Sequence, residues 1–596
     1  MCGISGWLVS ATDRYGEAEL AALAAALRHR GPDDQGLFMD RANGIALAHN
    51  RLSIIDLSRR GRQPMASVDG DLVLVYNGEL YNFRELRATL IGKGHRFRSA
   101  TDTEVVLNAF LEWGDECLTR FHGMFALALW RKSAGRLLLA RDPLGVKPLY
   151  YHLLAGGRGV AFASELQALL RLPRFQAVLD WIALRQFLEF GYTFSPQRTI
   201  LRGVYKLEPG HTAAFTREAE PRLASYWQLP VLDRSPWATR AELEERLFST
   251  LSDVVAQHLV ADVPIGILLS GGIDSSLLAA LAARGGAVRT FSMAFTDSTI
   301  DERPFAQAVS RHIGSHHSEI AIQPEHVIQA ASANAHHFDD LFADWGLITT
   351  HLLYQRCREL GVKVAIVGEG ADELFGGYGS FRQALALTGP TDLRLFQLYR
   401  RYAGMRHGGE FWRFRRIMRA YLSEARGDWF HAVRLFETRN QLPNHYVMKV
   451  DKASMAASVE ARVPFLDTRI AAIACAIPPE WLLSADGEKN ILRSLARRYG
   501  LLPEQVIERR KFGASIAMSW MDESAEFRAF AREVILAGGN WTDELGLRGA
   551  MQSYFVRGRS GYRFPWALSI FRNMAWRLLI LNLWAPSYLA GAARRA

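Results

Sequence analysis

Cysteine is scarce in this chain of 596 residues, and its four cysteines lie far apart, at positions 2, 117, 357 and 475. None forms a Cys-x-x-Cys pair, so the sequence predicts neither a zinc site nor a disulfide framework. Long apolar runs are missing too, because the longest, residues 578–589, is interrupted and shorter than the ~20 residues that span a bilayer. The first residues lack the basic and apolar segments of a signal peptide. We therefore expect a cytoplasmic protein with no membrane partner.

A dense basic region is a third absence. Lys and Arg number 71 against 61 Asp and Glu, a formal net charge of +10. The basic residues are nevertheless scattered, and the densest clusters are the short segments 59–62 and 509–511. Without a basic arm or an aromatic-interleaved stripe, we expect no nucleic-acid partner. The content of 49% hydrophobic and 22% charged residues is typical of folded proteins, and the length predicts more than one domain.

The first part of the chain, residues 1–215, has the pattern of a β-rich domain. Short apolar runs such as residues 72–76 are separated by Gly, Asp and Asn turns. Apolar residues at helical spacing predict helices over 17–28 and 103–113. Residues 216–240 then lose this periodicity and contain acidic residues and prolines, so we predict a linker there.

The second part, residues 241–525, alternates strand and helix patterns. Apolar runs predict strands over 265–269, 288–295 and 363–367, and helical spacing predicts helices over 275–284 and 302–313. Such alternation is typical of a parallel sheet with helices on both faces. We predict that the remaining residues, 526–596, form a C-terminal helical extension that covers this domain.

The second residue, Cys2, carries the first candidate chemistry. If Met1 is removed, Cys2 holds both a thiol and a free α-amine, and the amine can act as the local base. The thiolate is then the nucleophile. A cysteine at this position is weak evidence alone, since it is more often incidental.

Polar groups that follow apolar strand residues downstream would complete such a site. Arg51 could hold a substrate carboxylate bidentately, and Glu79 and Asp102 could hold an ammonium group. Asn77 and the Gly78 N–H could form an oxyanion hole for a tetrahedral intermediate. Each also has a structural interpretation, with Arg51 in a salt bridge and Asn77-Gly78 as a hairpin turn.

A second cluster, residues 268–276, reads Leu-Leu-Ser-Gly-Gly-Ile-Asp-Ser-Ser and places a Gly-rich turn between a strand and a helix. Backbone N–H groups and a helix N-terminus form an anion nest there. The turn is not a Walker A loop, because the chain has no GxxxxGK[ST] pattern. It follows the first parallel strand, where open α/β sheets bind ligands. A tight turn with N-cap serines is the alternative.

A third cluster follows the strand over 363–367 and holds Glu369, Asp372 and Glu373 within five residues. Three carboxylates cannot all be buried without cations. A Mg²⁺ ion that neutralises carboxylates and nucleotide phosphates accounts for them beside an anion nest. A solvated acidic loop is the alternative.

Together, these motifs resemble two known domains. Residues 2–210, including the segments 29–34 and 141–151, resemble the N-terminal-nucleophile glutaminase domain of class II amidotransferases. Residues 245–515, including the segments 451–467 and 488–493, closely resemble the synthetase domain of the asparagine synthetase B family. The resemblance implies an α+β domain, an Ntn-type β-sandwich with helices, followed by an α/β parallel-sheet synthetase domain of the ATP-pyrophosphatase type.

The resemblance also implies a reaction and its residues. Cys2 would release ammonia from glutamine, and ammonia would cross the protein to an acyl-adenylate of aspartate, giving asparagine, glutamate, AMP and pyrophosphate. The residues implied for glutamine and its oxyanion are Arg51, Ile54, Asn77, Gly78, Glu79 and Asp102. Those implied for ATP are Leu268, Ser270, Gly271, Gly272, Asp274, Ser275, Met293, Val367 and Gly368. Glu369 would act at the acyl-adenylate, Lys489 at the phosphates, and Asp274 and Asp372 would hold Mg²⁺.

Three departures from the family pattern fall near the expected acceptor site. Trp345 replaces a Ser, Val367 stands where a Ser often precedes Gly-Glu-Gly, and residues 509–515 replace a Lys-x-Gly-Phe segment. Trp345 could stack on a sugar, cover an acyl chain or pack in the core. The acceptor therefore stays open between aspartate and another carboxylate, such as a uronic acid of a surface polysaccharide or a natural-product intermediate. A homodimer also stays open.

Two other interpretations fit fewer residues. An ATP-dependent cyclase of the β-lactam synthetase kind would have no need of Cys2, Arg51 and Asp102. A non-catalytic scaffold built on the same folds would have no need of Asp372 and Lys489.

Overall fold

The structure, a computed structural model, describes residues 2–9, 15–154, 159–217, 220–231, 237, 239–295, 301–403, 409–484, 487–509, 516–558, 562 and 565–589. Its N-terminal part is built on antiparallel sheets and its C-terminal part on a parallel sheet. Residues 510–515, in the third departure from the family pattern, lie outside the described residues.

The N-terminal part is a layered arrangement of antiparallel strands. Its strands are β1 (Gly3–Leu8), β2 (Asp34–Asp40), β3 (Ile45–Arg51), β4 (Met65–Ala66), β5 (Leu72–Leu80), β6 (Gly123–Arg131), β7 (Arg136–Arg141), β8 (Tyr150–Leu153), β9 (Val160–Ala163), β10 (Val204–Lys206), β11 (His211–Phe215) and β12 (Arg222–Ser225). One sheet has the order β10-β8-β9-β1-β3-β2, and the other has the order β12-β11-β7-β6-β5-β4.

An apolar layer joins these sheets into a β-sandwich. Alternate residues of a strand point to the same face, so each sheet can offer a continuous apolar surface. Ile4 and Leu47 from the first sheet pack in one cluster with Val75 and Trp130 from the second, and all four are buried. Burial of this layer supplies the hydrophobic driving force that holds the sheets together. The layer also anchors β1, which directly follows Cys2.

Helices cover the sandwich. They are α1 (Glu17–Ala26), α2 (Phe83–Gly92), α3 (Asp102–Trp113), α4 (Leu166–Leu169) and α5 (Trp181–Phe190). The helices predicted over 17–28 and 103–113 are confirmed as α1 and α3. α3 begins at Asp102 because the Thr101 hydroxyl accepts a hydrogen bond from the Thr103 N–H and caps the helix.

A short strand lies within residues 216–240, the range predicted as a linker. β12 lies inside this range and pairs with β11 at the edge of the second sheet. All four residues of β12 are exposed, so the segment lacks the apolar alternation by which strands are recognised in a sequence. The second antiparallel sheet therefore extends through residue 225. The helix α6 of the C-terminal part begins at Arg240.

A parallel sheet forms the centre of the C-terminal part, as predicted. Its strands are β13 (Ile265–Leu268), β14 (Arg289–Phe295), β15 (His316–Ile322), β16 (Val364–Ile366) and β17 (Glu460–Arg462). They stand in the order β15-β14-β13-β16-β17, and all neighbours are parallel. From β13 the chain continues to β14 and β15 on one side of the sheet, and it then crosses to β16 on the other side of β13. The loops after β13 and β16 therefore diverge and leave a crevice at their carboxyl ends.

Helices surround this sheet and make up most of the chain beyond β16. They are α6 (Arg240–His258), α7 (Ile273–Ala283), α8 (Arg303–Ile313), α9 (Pro324–Ala333), α10 (Leu347–Glu359), α11 (Ala371–Phe375), α12 (Gly379–Ala386), α13 (Thr391–Tyr402), α14 (Phe411–Glu424), α15 (Trp429–Phe436), α16 (Val447–Ala456), α17 (Thr468–Cys475), α18 (Pro479–Leu482), α19 (Asn490–Arg498), α20 (Glu504–Ile507), α21 (Ile516–Glu523), α22 (Ala525–Leu536), α23 (Trp541–Glu544), α24 (Arg548–Arg557) and α25 (Pro565–Tyr588). A π-helix, Glu437–Tyr446, joins α15 to α16.

The helix α25 lies over the segment that leads to Trp345. The indole N–H of Trp576 donates to the Ala343 carbonyl at 3.2 Å, and that of Trp584 donates to the Asp339 carbonyl at 2.8 Å. Both indoles are buried, so each needs such a partner. Among the described helices, α25 included, none is long and apolar enough to cross a membrane.

Candidate active sites

Cys2 directly precedes β1, where the sandwich meets the C-terminal part. Its backbone N–H donates to Asn77 Oδ1 at 2.9 Å, which fixes the residue against β5. Burial raises the pKa of the Cys2 thiol, and the chain's amino terminus and the Leu52 backbone only partly offset this rise. A thiol in this environment needs a base to become a nucleophile.

Asn77 and Gly78 occupy the part of β5 nearest to Cys2. Asn77 is fully buried, and within the described part of the chain its Nδ2 atom has no hydrogen-bond partner. A buried, unpartnered N–H donor is costly unless a ligand uses it, as an oxyanion would. A Cβ at Gly78 would collide with the Met124 carbonyl of β6, so the strand pairing itself requires glycine there. Asn77 and Gly78 therefore lie within the strand β5, and the hairpin turn that their sequence could also have indicated is not formed there.

A small pocket of about 30 Å³ opens beside Cys2. The residues expected for glutamine that line it are Arg51, Ile54, Gly78, Glu79 and Asp102. It also contains Glu460, which comes from β17 of the C-terminal part. The structure thus brings the predicted residues together with Cys2 and adds one that the sequence did not indicate.

Arg51 has a structural role in this pocket. Its Nη1 atom donates to the Ser58 carbonyl at 2.8 Å, and its Nη2 atom donates to the Asp56 carbonyl at 2.5 Å. The guanidinium thus holds the loop that follows β3. A Cβ at Gly61 would collide with Arg51 Nη2, so the loop also encloses the guanidinium. Arg51 lines the pocket through a side chain that backbone carbonyls already orient.

The two carboxylates expected for the ammonium group of glutamine are both shielded from water. Burial raises the pKa of Asp102 to about 6, although the Leu80 N–H, which donates to Asp102 Oδ2 at 3.0 Å, opposes the rise. Burial also raises the pKa of Glu79 well above its ordinary value, and the Arg462 charge opposes this rise. A cation that enters the pocket would favour the ionised form of both groups.

A much larger cavity, of about 730 Å³, lies in the crevice between β13 and β16. The residues expected for ATP that line it are Leu268, Ser270, Asp274, Ser275, Met293, Val367 and Gly368. Glu369 and Asp372 line it as well. The cavity therefore lies at the topological switch point, where the strand order predicts a ligand site.

The turn after β13 is organised by its own serines. The Ser270 N–H donates to Ser275 Oγ at 3.2 Å, and the Gly272 N–H donates to Ser270 Oγ at 3.3 Å. Gly271 has φ of 68°, and a Cβ there would collide with Phe305 and the Ala306 backbone. The turn therefore requires glycine, and it directs the start of α7 toward the cavity.

Lys489 joins two carboxylates at the edge of this cavity. Its Nζ atom lies 2.5 Å from Asp274 Oδ2 and 2.6 Å from Asp372 Oδ1. Burial lowers the pKa of Lys489, but the Asp274 and Asp372 charges outweigh this and leave it above its ordinary value. Lys489 has φ of 56°, a left-handed conformation that is uncommon outside glycine and clusters at functional sites.

The same two carboxylates fit a hard divalent cation. Asp274 and Asp372 lie in the first turns of different helices, α7 and α11, yet both reach one ammonium group, so their oxygens converge on a single point of positive charge. Carboxylate oxygens are ligands that Mg²⁺ prefers, with phosphates and water in the remaining positions. A Cβ at Gly377 would collide with Asp372 Oδ1, so the neighbouring loop leaves room for this carboxylate only because it has glycine.

Sequence reasoning missed several cavity residues. Lys449, at the start of α16, places Nζ 3.7 Å from Glu369 Oε1. Burial raises the pKa of Glu369, and the Lys449 charge only partly offsets this. Arg401 from α13 and Tyr446 from the π-helix also line the cavity. Lys449 lies two residues before the 451–467 segment, which could have pointed to it, whereas Arg401 carries no signal in the sequence.

Trp345 belongs to both the cavity and the core. It lines the cavity, and its ring stacks on Trp576 of α25 with centroids 4.4 Å apart and planes 15° apart. The stacking on Trp576 is the core packing that the sequence allowed, whereas contact of Trp345 with a sugar or an acyl chain stays a prediction.

The helix α16 borders both sites. Lys449 faces the large cavity, and Asp451 accepts two hydrogen bonds from Arg30, at 2.8 and 3.0 Å. The Nε atom of Arg30 in turn donates to the Cys2 carbonyl at 3.1 Å. Arg30 and Asp451 are both buried, so a continuous set of protein contacts joins the two sites.

Two family models match this chain. Residues 1–227 match a glutamine amidotransferase domain, and residues 246–585 match asparagine synthase. The second match continues through most of residues 526–596, where the sequence predicted a separate extension.

Curated relatives match along most of the chain. Asparagine synthetase [glutamine-hydrolyzing] 1 of Bacillus subtilis (strain 168) is 30% identical, over 85% of each chain. A putative asparagine synthetase [glutamine-hydrolyzing] of Mycobacterium tuberculosis (strain ATCC 25618 / H37Rv) is 30% identical, over 98% of each chain. Asparagine synthetase B [glutamine-hydrolyzing] of Escherichia coli (strain K12) is 29% identical, over 89% of this chain and 85% of that one.

Proposed function

The chain belongs to the asparagine synthase family, and from that premise we propose that it makes asparagine from aspartate, with glutamine as nitrogen donor and ATP as activating substrate. The observation that carries the proposal is the presence of two complementary sites in one chain. One has a buried cysteine beside an unpartnered amide donor. The other has a Gly-rich turn at the start of α7 beside paired carboxylates and a lysine.

At the first site, Cys2 hydrolyses glutamine. The α-amine exposed by removal of Met1 takes the thiol proton, and Sγ attacks the side-chain amide carbon. Asn77 Nδ2 and the Gly78 N–H stabilise the oxyanion of the tetrahedral intermediate. The C–N bond then breaks, the amine returns the proton to the leaving ammonia, and a glutamyl thioester remains. Water cleaves the thioester to give glutamate and restores the thiol.

Ammonia then moves through the protein to the second site. The contacts through Arg30, Asp451 and α16 support this route, because they show that the two sites share one buried interface. A path within the protein keeps ammonia from being protonated and lost to solvent.

At the second site, aspartate is activated and amidated. Its side-chain carboxylate attacks the α-phosphorus of ATP, and the bond to pyrophosphate breaks. Lys489 stabilises the phosphate charge as a point cation. Ammonia attacks the acyl carbon, AMP leaves, and we assign to Glu369 the proton that the nitrogen loses. A carboxylate with a raised pKa suits that role.

Asp274 and Asp372 are the residues that we assign to Mg²⁺. When bound, the ion neutralises phosphate charge and orients the pyrophosphate leaving group. Lys489, which both carboxylates contact, would then turn toward the phosphates.

The first test is a coupled assay on the purified protein. Mg-ATP, glutamine and aspartate are supplied, and mass spectrometry follows AMP, glutamate and asparagine. All three should rise together. Glutamate without AMP or asparagine would show that aspartate is the wrong acceptor, and other carboxylates, uronic acids included, would then be screened for AMP release.

A second test separates the two sites. Cys2→Ala should abolish turnover driven by glutamine and leave turnover driven by ammonium salts. Loss of both activities in a folded variant would contradict the two-site proposal.

We also propose a cytoplasmic location for the reaction. The proposed reaction needs ATP and a free thiol at Cys2, and reducing compartments such as the cytoplasm keep thiols reduced. In the described structure, all four cysteines are free. Cell fractionation with an antibody against the chain would test this location.

A further inference from the structure

One wall of the glutamine pocket comes from the other half of the molecule. Among the described residues that line the pocket, all but one lie in the N-terminal part. The exception, Glu460, is the first residue of β17, at the edge of the parallel sheet. Its side chain is buried and faces the same space as Cys2 and Asp102. The pocket is thus incomplete without the C-terminal part.

Glu460 acts together with Arg462, two residues along the same strand. Arg462 Nε donates to Glu460 Oε1 at 2.6 Å, and Arg462 Nη2 lies 3.1 Å from Glu79 Oε2. The Nη1 atom donates to the His258 and Val260 carbonyls, at 2.7 Å each. The guanidinium is fully buried and is therefore fixed from three sides.

The Arg462 guanidinium offsets the negative charge of the carboxylates in this pocket. Glu79, Asp102 and Glu460 are three carboxylates in one buried space, and like charges at close range oppose each other's ionisation. Burial would raise the pKa of Glu460, but the chain's amino terminus and Arg462 hold it at about 2. Glu460 is therefore ionised, and Arg462 balances it while contacting Glu79.

The backbone of β17 reaches the ATP cavity. Val364, Ala365 and Ile366 of β16 pair in register with the three residues of β17. The Val367 N–H donates to the Arg462 carbonyl at 3.0 Å, and Val367 lines the cavity. The side chains of this short strand thus reach the glutamine pocket while its backbone holds the loop at the second site.

We propose that Glu460 and Arg462 are positioning residues of the glutaminase site, which hold the Glu79 carboxylate in place so that the glutamine pocket is complete only when β17 is seated. This inference rests on the proposed hydrolysis of glutamine at Cys2. Arg462 contacts Glu79, and neither Glu460 nor Arg462 is among the described residues that line the ATP cavity. Loss of the pair should therefore weaken glutamine binding and spare the chemistry at both centres.

The test is a split between KM and kcat in two activities. For Glu460→Gln and Arg462→Lys, glutamate release is measured against glutamine concentration, and AMP release is measured with ammonium salts. We expect the KM for glutamine to rise at least about tenfold, with kcat and the ammonium-driven rate within about threefold of wild type. Glu460→Asp, which keeps the charge, should recover part of the affinity. An unchanged KM in Glu460→Gln would overturn the inference, and so would an equal fall in both activities.

Asp467→Asn is the matched control. Asp467 is a buried carboxylate of the same segment, pairs with Arg469 and caps α17, but it does not line the pocket. Its loss should lower stability and leave the KM for glutamine at the wild-type value. A tenfold rise in the KM of this control would show that loosening the segment is sufficient, which would overturn the specific role of Glu460.

A double variant tests whether Glu460 acts through Glu79. If it does, Glu79→Gln with Glu460→Gln should have nearly the KM of Glu79→Gln alone. Independent, additive effects would overturn the positioning role. A wild-type protein that releases no glutamate would instead overturn the proposed function, so the two failures can be told apart.

Discussion

The two sites of this molecule differ most in how much space they offer. The pocket beside Cys2 measures about 30 Å³, room for a water or two, whereas the cavity between β13 and β16 measures about 730 Å³. The smaller pocket must therefore widen before glutamine can enter. The larger cavity can receive a nucleotide and an amino acid as it stands.

The sites also differ in how they hold charge. In the glutamine pocket, burial raises the pKa of both Asp102 and Glu79, so their ionisation depends on what occupies the pocket. In the ATP cavity, Lys489 already pairs with Asp274 and Asp372, and the charges are in place before substrate arrives. Substrate binding at the first site should thus depend on pH and on the charge of the bound ligand. Activity at the second site should depend on whether each of its charged side chains is present.

Asp274→Asn should produce the largest difference between the activities of the two sites. Loss of one carboxylate removes half of the pair that we assign to Mg²⁺. We expect AMP formation to fall by at least about 10³-fold with either nitrogen donor, while glutamate release stays within about twofold. Chromatography of AMP with glutamine or ammonium as donor measures this. AMP release at the wild-type rate would contradict the metal assignment.

Asn77→Ala should affect only the other site. Removal of one oxyanion donor costs about 10²–10³ in kcat in other hydrolases, and we expect a loss of that size in glutamate release. Ammonium-driven AMP formation should be unchanged, because Asn77 bonds to Cys2 and is not among the described residues that line the larger cavity. Asn77→Asp keeps the acceptor for the Cys2 N–H but lacks the Nδ2 donor, so it should be nearly as slow. A fast Asn77→Asp enzyme would show that the amide donor is not used.

Lower pH should weaken glutamine binding before it affects ATP. With the Asp102 pKa at about 6, a proton competes with the ammonium group of glutamine in acid. The KM for glutamine should therefore rise about tenfold for each pH unit below about 5.5, and Asp102→Asn should have a high, flat KM instead. Steady-state kinetics at about seven pH values between about 4.5 and 8 would measure the KM for glutamine of both enzymes. A wild-type KM that does not change over this range would contradict the role of Asp102.

The stability of the empty enzyme should respond to Asp102 in the opposite sense. The folded-state pKa lies above the value of about 3.9 for an unfolded chain, so folding favours the protonated form. The contribution of Asp102 to stability is fully present below about pH 4 and is lost as the pH rises through about 6. The Tm difference between wild type and Asp102→Asn across this range measures it, and a difference that does not vary with pH would contradict the raised pKa.

Trp345→Ala should have the smallest effect on catalysis. Loss of one aromatic contact is worth about 0.5–1.5 kcal/mol, so the KM for aspartate should rise about two- to tenfold while the KM for ATP is unchanged. Trp576→Ala is the matched variant. Trp576 is fully buried, so this change should cost about 3–5 kcal/mol of stability instead. If Trp345→Ala lowers only stability, its role is packing alone.

Sequence patterns alone predicted where the loops of the ATP cavity lie, because each of these loops directly follows a strand. The turn at Ser270 and the acidic loop at Glu369 come directly after β13 and β16, and neighbouring parallel strands end at the same edge of a sheet. Their convergence on one cavity follows from that rule. Cys2, Asn77 and Asp102 were joined only by a family resemblance, because nothing local in the chain brings β1, β5 and α3 together.

Contacts between the two halves could not be predicted in this way. β17 has three residues, too few to show a period, and its Glu460 meets Cys2 only through the folded interface. Arg401 and the π-helix residue Tyr446 lie in regions with no distinguishing motif. Such residues are selected by the geometry of the whole fold, which a single sequence does not display.

The buried charges between the halves set a limit on protein engineering. Arg30 and Glu165 come from the sandwich, Asp451 and Lys452 come from α16, and all four are buried in contact with one another. A half transplanted onto a foreign partner would carry uncompensated charges at its new surface and would lose one wall of its glutamine pocket. Chimaeras should therefore exchange the N-terminal part together with α16 and β17. This choice keeps both sides of the buried interface from the same protein.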